Sequence, residues 1–132
     1  MTALAADRNT PMQDGYKQGY PVAAAAVIYT GALVGVNASG YAVPMSLASG
    51  LACVGVAEFQ CNNSTGAAGA LTVIAQRRKA FRFNNGASIT LASVGAMAYA
   101  MDDNTVTTTS TGASAVGTII NVDSAGVWVN IA

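Results

Sequence analysis

The chain has no histidine and very little charge. Six basic and six acidic groups in 132 residues amount to 9% and cancel to zero, where an ordinary soluble domain carries roughly 25%. Gln18 to Ala57, forty residues, hold no charged side chain. A net charge near zero on a bland surface favours association over colloidal solubility. Such a chain is expected to live packed against other proteins. The balanced charge gives no field that would steer it to nucleic acid or anionic lipid.

Without histidine, the Ser-His-Asp and Cys-His nucleophile arrangements are excluded, and the commonest metal ligand is missing. Two cysteines, Cys53 and Cys61, are present. On one straight strand they would stand about 26 Å apart, beyond the roughly 7 Å that a disulfide spans. A bend could close the gap, but two free thiols in a reducing compartment are the expectation. Long apolar runs are also lacking. Val22 to Val36 is the longest, and Thr30, Gly31 and Gly35 interrupt it; a spanning helix needs about 20 apolar residues. No membrane association is expected, and Met1 to Asp7 shows no basic leader segment.

The length fits one domain that can bury roughly two thirds of its unfolded surface. Residues 1–20 differ from the rest. Four of the charges lie there (Asp7, Arg8, Asp14, Lys17), with Pro11 and Gly15 and no apolar period. This segment reads as an extended N-terminal arm that docks on a partner; a frayed terminus is the plain alternative. Residues 21–132 form a β-rich domain of short apolar runs cut by turn residues. Val22–Tyr29, Ala32–Val36, Tyr41–Met45, Leu51–Phe59, Leu71–Ala75 and Ala80–Phe83 come first. Ala96–Met101, Thr105–Thr109, Ala115–Val122 and Val127–Ile131 follow.

Runs at intervals of about ten residues predict an all-β fold, a small barrel or a sandwich. Phe81 and Phe83 share one strand face against Arg82, and Val127, Val129 and Ile131 share one against Trp128 and Asn130. Ala23–Ala26 is read as strand, because Val27-Ile28 and Thr30-Gly31 leave a helix there too short. Asn85-Gly86 is the dipeptide suited to a type I′ hairpin turn. Ser88–Val94 is read as one helical turn or a loop. The expected core is Val54, Val56, Leu71, Val73, Phe81, Phe83, Ile119, Val127, Val129 and Ile131.

Few motifs carry chemistry. Gly66-Ala67-Ala68-Gly69 lacks the Lys-Ser/Thr of a phosphate loop and is read as a hairpin connection. Asp102-Asp103 is read as a solvated turn, since calcium needs more oxygen ligands at ordered spacing. Arg77, Arg78, Lys79 and Arg82 are the one basic cluster. Four charges are a thin footprint for phosphate, and a solvated strand end or salt bridges to an acidic protein fit better. Glu58 is the only acid between Asp14 and Asp102, and an outward or Arg-paired group is expected. No cofactor and no enzymatic activity are expected.

Several segments, in order, resemble the capsid cement (head decoration) proteins of tailed bacteriophages. They are Arg8-Asn9-Thr10-Pro11 with Asp14-Gly15, Pro21-Val22-Ala23-Ala24 and Ile28-Tyr29-Thr30-Gly31-Ala32-Leu33-Val34. Ser39-Gly40-Tyr41-Ala42-Val43-Pro44, Val54-Gly55-Val56-Ala57-Glu58 and Asn63-Ser64-Thr65-Gly66-Ala67-Ala68-Gly69-Ala70 continue the likeness. Phe81-Arg82-Phe83, Asp102-Asp103-Asn104-Thr105-Val106, Val122-Asp123 and Gly126-Val127-Trp128-Val129 close it. The order and spacing of these pieces carry the resemblance, which covers nearly the whole chain. Two departures stand out: no turn glycine flanks Lys79, and Cys61 occupies a position where a less reactive residue is expected.

The resemblance implies a β-rich virion protein, made in the bacterial host cytoplasm, that binds the outer face of the expanded capsid and reinforces it. It implies two partners, the major capsid protein and further copies of the chain itself, as a homotrimer or a dimer. No direct contact with nucleic acid is implied. The residues expected to touch the capsid are Arg8, Asn9, Thr10, Pro11 and Met12, through β-augmentation of a sheet edge on the shell. The runner-up is a capsid-displayed host-surface or glycan-binding module, with Tyr16, Tyr20, Tyr41 or Trp128 as stacking residues.

Overall fold

A computed structural model describes residues 2–13 and 15–132. The fold is all-β. In chain order the strands are β1 (Lys17–Pro21), β2 (Val27–Ile28), β3 (Leu33–Val36), β4 (Ala42–Pro44), β5 (Ala52–Ala57) and β6 (Cys61–Asn62). Next come β7 (Thr72–Gln76), β8 (Lys79–Asn85), β9 (Met97–Ala100), β10 (Thr105–Thr107), β11 (Ala115–Asp123) and β12 (Gly126–Ile131). One 3₁₀ turn, Leu91–Ser93, is capped by the Thr90 hydroxyl.

The second half of the chain closes into a five-stranded barrel, in the order β10-β8-β12-β11-β9. All its pairings are antiparallel except β8–β10, which is parallel and seals the circle. Alternation along β12 fills the interior: Val127, Val129 and Ile131 are buried, and Asn130 points outward. Phe83, Ala98, Ala100, Val106, Val116 and Ile119 complete this core.

The first half forms a curled sheet in the order β1-β7-β5-β3-β4. A parallel bridge from Val22 to Ala42 brings its first and last strands back together. The short strands β2 and β6 pair with each other and contribute Ile28 and Cys61 to the second core. A second core, including Val22, Ile28, Val34, Ala42, Val54, Val73 and Ala75, sits inside the curl.

The middle of this sheet is the wall between the two cores. Leu33 belongs to the barrel core and its neighbour Val34 to the second core. On β5, Val54 faces the second core and Val56 the barrel. Two residues of equal parity reach opposite faces because a bulge intervenes, opposite the step from Val34 to Gly35. Val54 is the residue left without a partner on β3, and Gly55 beside it takes φ 131. A Cβ on Gly55 would run into the Gln76 carbonyl oxygen, so only glycine fits.

Four expectations are corrected. Ala23–Ala26 is a turn, with Ala25 at φ 59 and the Ala26 N–H donating to the Ala23 carbonyl; nothing in the residue types announced a left-handed alanine. Asn85-Gly86 makes no hairpin, because β8 pairs with β12 and β10. The Asn85 carboxamide instead folds the following loop, bonding Ile89 through both its backbone N–H and its carbonyl. Gly66–Gly69 is not a hairpin connection either, since β6 pairs β2 while β7 pairs β1 and β5. Leu71 is 44% exposed and outside both cores, because it lies before Thr72, the first paired residue of β7.

Asn37–Gly40 joins β3 to β4 and Asp123–Gly126 joins β11 to β12, each as an antiparallel hairpin. In each, an Asx carboxyl or carboxamide oxygen accepts two backbone N–H groups. Sheet pairing begins at Lys17, within the segment that the sequence assigns to the arm.

Candidate functional site

Arg8, Asn9, Thr10, Pro11 and Met12 lie on a fully exposed stretch without helix or strand. Met12 is 96% exposed. Among the described residues, the hydrogen bonds of Arg8–Met12 stay local: the Thr10 N–H donates to the Arg8 carbonyl. Asp14 lies outside the described residues. The stretch is fastened at its base. Arg77 Nε donates to the Gly15 carbonyl at 2.7 Å, and the Arg77 N–H donates to the Tyr16 carbonyl. Lys17 Nζ bonds Glu58 Oε1 at 2.7 Å. Glu58 therefore pairs with a lysine from the arm side of the sheet, and that pairing raises the Lys17 pKa.

The basic cluster is divided among separate tasks. Arg77 holds Gly15. Arg78 takes φ 64 at the crossing from the curled sheet to the barrel and donates its N–H to the Ile131 carbonyl. That left-handed residue supplies the turn for which the sequence offers no glycine beside Lys79. Arg82 lies 5.8 Å from the Trp128 ring centroid. Trp128 Nε1 donates to Asp123 Oδ2 at 2.9 Å. These bonds, with the Ala125 and Gly126 N–H groups, hold the Asp123 carboxyl below its usual range, and Arg82 adds to the effect.

Cys53 and Cys61 are free thiols. They pack against different cores, Cys53 the barrel's and Cys61 the second. Burial pushes both thiols up. Among the described residues, no three His, Cys, Asp or Glu side chains come together as a metal site. No helix there is long and apolar enough to cross a membrane.

The four aromatic residues expected to stack on a ligand do not converge. Tyr20 packs against the second core. Tyr41 is half-buried, its ring beside Gly69. Trp128 is engaged by Arg82 and Asp123. Tyr16 sits at the base of the arm, beneath Lys17.

The sequence reading missed a cleft of about 260 Å³ lined by Tyr29, Thr30, Gly31, Ala32, Asp103 and Asn104. It lies where the turn before β3 meets the turn between β9 and β10. Those turns are separated by seventy residues between Leu33 and Asp103, so no local signal could pair them.

No protein-family model matches this chain, and neither the curated proteins nor the solved structures compared with it give a match.

Proposed function

We propose that this chain is a virion structural protein that binds the outer surface of an expanded bacteriophage capsid and stabilises it. The observation that carries the reading is the pairing of a two-core β-body with an exposed arm. Both hydrophobic cores are filled without any side chain from Arg8–Met12, which leaves that exposed stretch available to a partner. An extended segment of this kind adds to a sheet edge through its main chain. The major capsid protein is the partner, with Arg8, Asn9, Thr10, Pro11 and Met12 making the contact.

The body also suits contact with further copies of itself. Leu91, Val94, Met97 and Ile120 are exposed on the β9–β11 side of the barrel. From Phe83 to Val122 the only charged residues are Asp102 and Asp103. A neutral apolar face loses little by desolvation when covered. A homotrimer or a dimer is the assembly that the sequence resemblance implies. Many copies on one shell share the load, so each contact can be weak.

The test is co-sedimentation of the purified chain with undecorated expanded capsids, with unexpanded shells as control. Saturable binding to expanded shells, with raised resistance to heat, is expected. Deletion of residues 1–12 should abolish it and leave the β-body folded. Undiminished binding by the deletion would remove the arm from the interface. Absence of binding by the full chain to either shell would overturn the cement reading.

A further inference from the structure

We propose that the cleft between Tyr29–Ala32 and Asp103–Asn104 binds a neutral sugar, one pyranose ring at a time. Its walls are built before any ligand arrives. The Leu33 N–H donates to the Asp103 carbonyl at 2.8 Å and joins the two turns. The Gly31 N–H donates to Ala57, and the Ala32 N–H closes the turn on Tyr29. On the other side the Asn84 N–H donates to the Asn104 carbonyl, while Asp102 Oδ1 accepts the Asn104 N–H at 2.9 Å. A site held this way loses little freedom on binding.

The lining selects the ligand's chemistry. Tyr29 is 60% exposed and places an aromatic ring at the cleft wall. Asp103 is half-buried, and among the described residues no group donates a hydrogen bond to its carboxylate. A carboxylate offers acceptor oxygens, and the Asn104 carboxamide, whose Oδ1 takes the Thr105 hydroxyl, offers its Nδ2 donors. The lining holds one acid and no base, so phosphate and sulfate are disfavoured. A ligand must bring several donors on one edge and an apolar face on another. A pyranose does both: adjacent hydroxyls donate to the two Asp103 oxygens, Asn104 Nδ2 donates to a third, and the ring's C–H face lies on Tyr29.

Size agrees. Clefts for drug-sized ligands begin at about 300 Å³, and this one, at about 260 Å³, takes a single ring. Its open side would let a longer glycan continue into solvent. The site involves neither the arm nor the barrel's apolar face, so it stands or falls independently of shell binding.

The experiment is an NMR titration of the full ¹⁵N-labelled chain. The probes are the methyl glycosides of glucose, galactose, mannose and N-acetylglucosamine, each alone, and tetramethylammonium chloride. Saturable shifts centred on Tyr29–Leu33 and Asp103–Asn104 are expected with at least one glycoside. Tyr29→Ala and Asp103→Asn, each with an otherwise unchanged spectrum, should weaken that binding about tenfold or more. Tyr29→Phe keeps the ring and should retain it. The proposal is overturned by the absence of shifts with every glycoside, by shifts centred elsewhere, or by undiminished binding in both variants. Binding of tetramethylammonium without any glycoside would overturn it too, and would make the cleft a cation site.

Discussion

Leu33 and Val34 are adjacent on β3, are both fully buried, and belong to different hydrophobic cores. Strand alternation sends consecutive side chains to opposite faces. Here both faces are covered, which is why the run Leu33–Gly35 is buried throughout. Sharing this strand should make the two cores unfold as one unit. Urea unfolding followed by the single Trp128 and by far-UV circular dichroism should give coincident transitions. Leu33→Ala should lower stability by about 2–5 kcal/mol, and Val34→Ala by about 1.5–3 kcal/mol. Separate transitions would show that the cores are independent.

Gly55→Ala should cost at least about 2–3 kcal/mol. The added methyl meets the Gln76 carbonyl, which belongs to the backbone and has little room to yield. The change also forces alanine to φ 131. The urea midpoint measures the loss, and a shift below 0.5 kcal/mol would disprove the bulge's role.

Asn63 is a buried fastener that follows β6 and ties two turns together. Its Nδ2 donates to the Ala23 and Ala67 carbonyls at 3.0 Å each. Asn63→Ala leaves both acceptors without that donor and should destabilise by about 2–3 kcal/mol. Hydrogen exchange should quicken first around Ala26 and Gly66, whose N–H bonds close the loop.

The Asp123 carboxyl has its pKa depressed by Trp128, the hairpin amides and Arg82. A depressed folded pKa means that the charged form is the one the fold favours. Its contribution is complete above the ordinary carboxylate value of about 4 and is lost as pH falls through the lower folded value. Asp123→Asn cannot accept the Trp128 N–H in the same way and should flatten that acid limb. Comparing the urea midpoints of both proteins at pH 7 and pH 3 checks this.

Both thiols have raised pKa values through burial, so little thiolate is present at neutral pH. Reaction with a thiol reagent should be slow in the folded chain and fast in denaturant. The intact mass should carry two free thiols. Finding a Cys53–Cys61 disulfide would contradict the placement of the two residues against separate cores.

Local pattern in the sequence determined the all-β class, most of the strands and the barrel's inward residues. Val127, Val129, Ile131 and Phe83 were legible because a period of two along a half-buried strand is visible in the residue types themselves. Asn37–Gly40 and Asp123–Gly126 are visible in the residue types as turns, where short polar side chains hold their own backbone, but that each closes a hairpin is decided by strand pairing. The tertiary structure alone decided the rest. Closure of β8 on β10, the two-faced burial of β3 and the change of face at Gly55 depend on which strands meet. Ala25 and Arg78 adopt left-handed backbone because surrounding pairings demand it, against their own preference. The cleft at Tyr29 and Asp103 exists only because two turns, each unremarkable alone, are joined by one hydrogen bond across seventy residues.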